Sequence, residues 1–217
     1  MDKGIKIMDQ FESRFAHLGA VGIPSNTDTR IMMMPLVLGD MTSVPDTLSP
    51  WRDTIRSLFD MSPCRDGIAY LTIDCKRVRE GMTHRRSGLH VDGIYRDGAG
   101  GWGGGWGAVG TGMLTVSDVP GCCAYRQMFY GWPGDEGDCS HLADQARNGT
   151  TFEPGLVYWV DGLCVHESLP MPKDTHRSFV RLSMPSDAPW FEGYTENPLG
   201  VAPAGKILPR RKFMSEA

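Results

Sequence analysis

No run of apolar residues in this 217-residue chain approaches the roughly 20 needed to cross a bilayer as a helix. The charged opening MDKGIKIMDQFESRF also lacks the apolar centre of a signal peptide, so a soluble cytoplasmic protein without membrane contact is the expectation. Positive charge is not in excess. Lys and Arg number 22 against 26 Asp and Glu, a net charge of −4, which argues against a general attraction to nucleic acid. Cys64, Cys75, Cys122, Cys123, Cys139 and Cys164 show neither C-x-x-C spacing nor a compact framework. Zinc ribbons and secreted disulfide scaffolds therefore lack support, and reduced thiols are expected, with adjacent Cys122 and Cys123 as small buried residues. Internal repeats and a second-domain linker are absent too, and the length suits one domain, residues 1–217.

What the chain has in quantity is turn formers, 27 glycines and 15 prolines, which favour β structure. Ile7, Phe11, Phe15 and Leu18 stand at helical spacing, and Trp51, Ile55, Leu58 and Phe59 repeat the pattern, with Ser49 as an N-cap and Pro50 at the first helical position. Between these two helices IMMMPLVLG reads as a strand. From residue 68 the pattern shortens to strand-like pieces: GIAYLTIDCKRV, SGLHVDGIY, GMLTVSDV, CAYRQMFY, GLVYWV, LCVHESL and HRSFVRLSM. Asp161-Gly162 is a hairpin signal between two of them. The expected fold is mainly β (α+β): a jelly roll or barrel over about 67–186, helical support over about 1–66, and a C-terminal tail, 187–217. The glycine tract DGAGGWGGGWGAVGTG, residues 97–112, is a surface loop or a lid whose Trp102 and Trp106 close over a ligand.

The chemistry-bearing pattern is His90-Val91-Asp92. Six histidines and 26 acidic residues in 217 would yield about 0.7 His-x-Asp/Glu matches by chance, so the setting has to decide. In an extended segment residues i and i+2 share a face, which lets His90 and Asp92 converge on one ion while Leu89 and Val91 face an apolar side. His166, in GLVYWVDGLCVHES, supplies a third ligand. Two neutral imidazoles and one carboxylate on one face of an octahedral ion suit iron(II) and leave three adjacent positions open; zinc more often takes a further His or Cys. Past a turn, Arg177, Phe179, Arg181 and Ser183 alternate onto one face of a strand, and Ser178, Val180, Leu182 and Met184 onto the other. A buried arginine there needs an anionic partner, which a carboxylate provides.

With these residues in place, the chain resembles the Fe(II)/2-oxoglutarate-dependent dioxygenase family, whose pattern is H-x-D, a distant H, then an arginine on the following strand. The match is His90, Asp92, His166 and Arg177, over roughly residues 89–184. The resemblance implies a double-stranded β-helix (cupin-like jelly roll), an Fe(II) cofactor, and 2-oxoglutarate and O2 as co-substrates. It further implies hydroxylation, desaturation or cyclisation of a small molecule bearing an acid group, with release of succinate and CO2. Halogenation is disfavoured, since Asp92 occupies the position that halogenases of this family leave to chloride.

By analogy with the taurine dioxygenase-like branch, Arg177 would bind 2-oxoglutarate and Arg181 an anionic substrate; the rival anchor is Arg181-x-Ser183, an R-x-S pattern of other branches. Trp102, Trp106 and Arg86 complete the candidate substrate contacts. His84, Arg85 and Arg86 read as a solvated basic turn or a contact to an acidic substrate, His17 and His141 as surface or packing residues, and His176 as pointing away from the Arg177 face. Two further readings stay open: a non-oxidising cupin-like metal protein or isomerase, and an iron oxidase independent of 2-oxoglutarate.

Overall fold

A two-residue period governs the strands, because successive side chains of an extended backbone point to opposite faces. The computed structural model describes residues 10–25, 27–92, 111–186 and 188–209, and the backbone of 94–96 and 102–104. Its strands are β1 (Gln10–Ser13), β2 (Phe15–Ala20), β3 (Arg30–Val37), β4 (Ile68–Val78), β5 (Ile94–Arg96), β6 (Trp102–Gly104), β7 (Met113–Ser117) and β8 (Cys122–Ala124). They continue with β9 (Gln127–Tyr130), β10 (Thr150–Thr151), β11 (Leu156–Val160), β12 (His166–Ser168), β13 (Thr175–Ser183), β14 (Trp190–Phe191) and β15 (Ile207–Leu208). A single α-helix, α1 (Arg52–Met61), occurs among the described residues.

Six strands in the order β2-β11-β7-β13-β4-β3 form the main antiparallel sheet, and β10-β8-β12 form a smaller one. Short ribbons β1-β9, β5-β6 and the parallel pair β14-β15 complete the architecture, which is mainly β with several antiparallel sheets. One face of the main sheet is apolar: Leu71 and Ile73 of β4, Leu114 and Val116 of β7, Val157 of β11, and Val180 and Leu182 of β13. Against it pack Ile55, Leu58 and Phe59 of α1, together with Leu48 and Trp51 just before it. Full burial of each such side chain contributes about 1.5–3 kcal/mol, which explains why this helix, although short, is firmly seated. The other face of β7, β11 and β13 turns Met113, Thr115, Val160, Arg177, Phe179 and Arg181 into a pocket whose far wall is Cys122, His166 and Ser168 of the smaller sheet.

Three sequence expectations are corrected. The helix expected over residues 5–18 is replaced, within the described residues, by strands β1 and β2. Phe11 and Phe15 are four apart, a spacing that fits a helical turn and also two strand periods, and Phe11, Ser13 and Phe15 are buried while Glu12 is exposed. The expected N-cap Ser49 and the first-turn Pro50 sit inside a 3₁₀ segment, Asp46–Trp51; α1 starts after it, with Trp51 at the cap position and no side-chain capping bond. Asp161-Gly162 is not a hairpin, since β11 pairs with β2 and β7 while β12 pairs with β8. Its turn hands the chain from one sheet to the other, closed by the Asp161 side chain accepting from Leu163 N at 2.9 Å. Within the described part of the C-terminal tail, 188–209, Trp190, Phe191 and Tyr194 form a cluster with Met33 and Tyr70.

Candidate metal centre and cationic pocket

The His90–Asp92 segment lies between two others that fix its backbone. On one side His90 N donates to His166 O at 2.9 Å and His166 N returns the bond to His90 O at 3.0 Å. On the other side Val91 N donates to Gly137 O at 2.9 Å and Cys139 N to Leu89 O at 2.8 Å. Gly137 has φ of +74°, and an added Cβ would meet Val91 O at 2.2 Å, so only glycine lets the two backbones approach this closely. Leu89 and Val91 join the apolar cluster of Phe11, Phe129, Leu142 and Val165, as their alternation requires. His90 and Asp92 are thereby turned to the opposite side.

There the ligating atoms of His90, Asp92 and His166 all lie within 4.8 Å of one another, a group that could hold a metal ion. The imidazole orientations support this use. His90 Nδ1 is 2.7 Å from Gly88 O and His166 Nδ1 is 2.9 Å from Cys164 O, so a proton on each Nδ1 leaves both Nε2 lone pairs for a metal. Burial, reinforced by neighbouring His166, pushes the His90 pKa down to about 4, so its ring is neutral at pH 7. Burial would raise the Asp92 pKa, but the neighbouring His166, Arg181 and His90 outweigh it and hold the carboxylate ionised. Asp92 Oδ2 lies 3.6 Å from His166 Nε2 and accepts from Arg181 Nη1 at 3.1 Å. This donor set of two nitrogens and one carboxylate fits a divalent transition metal on one face.

The two arginines of β13 point into the pocket but are held differently. Arg181 donates to Asp92, and its Nη2 lies 3.6 Å from the Met33 thioether. Met33 itself has φ of 51° at a bulge of β3, pinned by its N–H to Thr72 Oγ1 (3.2 Å) and by Trp190 Nε1 to its carbonyl (2.8 Å). Arg177 is 2% exposed and donates through Nε to Ser117 Oγ at 2.9 Å, while its buried Nη1 has no hydrogen-bond partner among the described residues. Burial pushes its pKa down to about 10, still cationic at pH 7. Gly121 lies against the guanidinium; a Cβ there would stand 2.8 Å from Arg177 Cζ. Of the rival anchor pair, Arg181 lines the pocket, whereas Ser183 is fully buried and its hydroxyl has no partner among the described residues.

The solvated basic turn expected at His84–Arg86 is corrected, because His84 is 3% exposed and Arg85 lines the pocket. Both converge on buried Asp74 of β4, whose Oδ2 is 3.1 Å from His84 Nε2 and 3.1 Å from Arg85 Nη1. Arg30 Nε approaches the other oxygen at 2.8 Å and Lys76 Nζ lies 3.7 Å from Oδ2. Burial acts to raise the Asp74 pKa, yet His84, Arg85 and Lys76 together hold it below the usual carboxylate range. Removing one partner of a buried charge cluster costs about 3–5 kcal/mol, and Asp74→Asn is expected to lose that order of stability in urea unfolding at pH 7. A depressed carboxylate stabilises fully above its unfolded pKa, so the deficit should shrink as pH falls below about 4. A deficit that persists unchanged into acid would show that charge is not its origin.

The remaining candidates are scattered. Arg86 is exposed at the pocket and donates to Glu136 O at 2.7 Å. His17, in β2 rather than a helix, and His141 are exposed, and His176 is 3.4 Å from Asp28 Oδ1, away from the pocket. Trp106 lies outside the described residues, and of Trp102 only the backbone, paired with Arg96, is described. All six cysteines are free, and Cys122 lines the pocket, its thiol pushed up to about 12 by burial. Among the described residues no helix is long and apolar enough to cross a membrane. No known family's sequence profile matches this chain, and no curated protein matches it.

Proposed function

We propose that this chain is a non-haem iron(II) oxygenase that uses 2-oxoglutarate and O2 to hydroxylate, desaturate or cyclise a small molecule bearing an acid group, releasing succinate and CO2. One observation carries the reading: a two-His, one-carboxylate group and a buried arginine whose Nη1 has no hydrogen-bond partner among the described residues share one pocket. Iron(II) bound there would supply O2 activation coupled to decarboxylation of the 2-oxo acid. His90, Asp92 and His166 would hold it, with Gly88 O and Cys164 O fixing the imidazoles. Arg177 would take the distal carboxylate of 2-oxoglutarate, since its fork is preorganised by Ser117 and pairs with no carboxylate among the described residues. Arg181 would hold Asp92 in a single orientation, leaving one carboxylate oxygen for the metal. A six-stranded sheet facing a three-stranded one across the site is compatible with the jelly-roll form of this fold.

Anaerobic addition of iron(II) and then 2-oxoglutarate tests the proposal. A weak visible charge-transfer band, followed in air by succinate release, is the expected result. Metal binding without the band would favour a non-oxidising cupin-like protein, and oxygen consumption without 2-oxoglutarate would favour an oxidase that takes its electrons from the substrate alone.

A further inference from the structure

We infer that the pocket contains a second anion subsite, formed by Arg85 and Arg86, which takes the acid group of the substrate: a carboxylate, sulfonate or phosphonate. The inference rests on the proposed function for its assignment to substrate, and on the geometry alone for the existence of the subsite.

Charge balance is the first argument. Among the described residues, four guanidinium groups, Arg85, Arg86, Arg177 and Arg181, line the pocket against one carboxylate, Asp92. A divalent ion and a dianionic 2-oxoglutarate cancel each other, so the excess of cations remains after both have bound. Closing such a pocket over a neutral molecule would strip water from unpaired cations, which is costly; an anionic group removes that cost.

Availability is the second argument. Arg181 is committed to Asp92 and packs against the Met33 thioether, so it is poorly free to receive a substrate anion. Arg177 lies beneath Gly121, bonded to Ser117, and suits the co-substrate. Arg86 is exposed at the pocket and donates through Nη1 to a neutral carbonyl, which leaves its charge for a ligand. Arg85 does bond to Asp74, but Asp74 is shared with Arg30 and Lys76, so one carboxylate faces three cations and Arg85 is not neutralised. Asp74 orients Arg85 and leaves it cationic. The Phe179 ring further fixes two of the pocket arginines, with Arg85 Cζ and Arg177 Cζ each 5.6 Å from its centre.

The test is calorimetric titration of the iron(II)-loaded protein, anaerobic and saturated with 2-oxoglutarate, with methylphosphonate, sulfate and acetate in turn. Wild type is expected to bind one equivalent of at least one anion. Arg86→Gln, whose parent side chain is exposed, and Arg85→Gln are each expected to weaken that binding about tenfold or more, the loss of a charged hydrogen bond. Arg86→Gln should keep its affinity for 2-oxoglutarate within about twofold, and Arg147→Gln, an exposed residue with the same change of net charge, should match wild type in both. No anion binding by wild type, or equal affinity in Arg86→Gln and Arg147→Gln, overturns the subsite. If 2-oxoglutarate gives no charge-transfer band while anion binding still depends on Arg85 and Arg86, the subsite stands and the co-substrate reading falls.

Discussion

Replacing His166 by alanine is expected to weaken divalent-metal binding by about a hundredfold or more, a loss at least as large as that of an outer-shell partner of a ligand. It should also abolish 2-oxoglutarate-dependent succinate release. The imidazole is partly exposed at the pocket, so its removal leaves no sealed cavity, and the backbone pair between His166 and His90 does not involve the side chain. The fold should therefore persist, and the loss should fall on the metal. Titration with manganese(II) measures it directly, and thermal unfolding provides a second readout, because a ligand that binds only the native state raises the midpoint with concentration. Wild type should show that rise and His166→Ala should not. Equal manganese affinity in the two proteins would place the metal elsewhere.

Arg177→Gln is expected to raise the Kd for 2-oxoglutarate by about 30-fold or more, since truncating one partner of a buried, hydrogen-bonded charge pair costs about 2–5 kcal/mol. Metal affinity should be nearly unchanged. Arg181→Gln should do the reverse, because its guanidinium is bound to Asp92 and its loss frees a ligand carboxylate to rotate. A subtler variant probes the same cradle: in Gly121→Ala the new methyl group would stand 2.8 Å from Arg177 Cζ and 2.9 Å from both Arg177 Nε and Met171 Cε. The guanidinium must then move, and 2-oxoglutarate affinity should fall in the same direction as in Arg177→Gln, by less. If Arg181→Gln instead produced the large rise in Kd for 2-oxoglutarate, the two arginines would have to exchange roles. Both variants are read by following the charge-transfer band against 2-oxoglutarate concentration.

Much of the β architecture was legible because side chains alternate between the two faces of a strand, as in β13, where Arg177, Phe179 and Arg181 line the pocket while Val180 and Leu182 join the apolar cluster. His90 and Asp92 were legible for the same reason, since their common face follows from the backbone alone. His166 was singled out on a premise that the structure removes: no hairpin carries it, and its strand instead pairs with β8 and touches His90 through a backbone bridge. Sheet pairing is a long-range property that a local turn signal does not encode. The N-terminal segment was misread because a spacing of four satisfies both helical and extended periods, and only the partners β9 and β11 decide between them. The pairing of Arg85 with Asp74 was not legible for a related reason. The arginine's setting depends on Asp74, eleven residues away on β4, and no spacing rule links a loop arginine to a strand aspartate. The sign that was available was compositional, three consecutive basic residues shortly before a His-x-Asp motif.

The alternation along β13 has a consequence for how such a protein can diversify. Arg177, Phe179 and Arg181 face the ligand, whereas Val180 and Leu182 face α1, and neighbours in sequence therefore answer to different selective demands. Substitutions at 177, 179 and 181 can retune what the pocket accepts while the helix-facing positions keep the scaffold folded. Drift at 180 and 182 is confined instead to side chains that fill the same volume. A single strand thus lets ligand preference and foldability be inherited on separate faces, and a combinatorial library restricted to the odd positions would sample the first without spending the second.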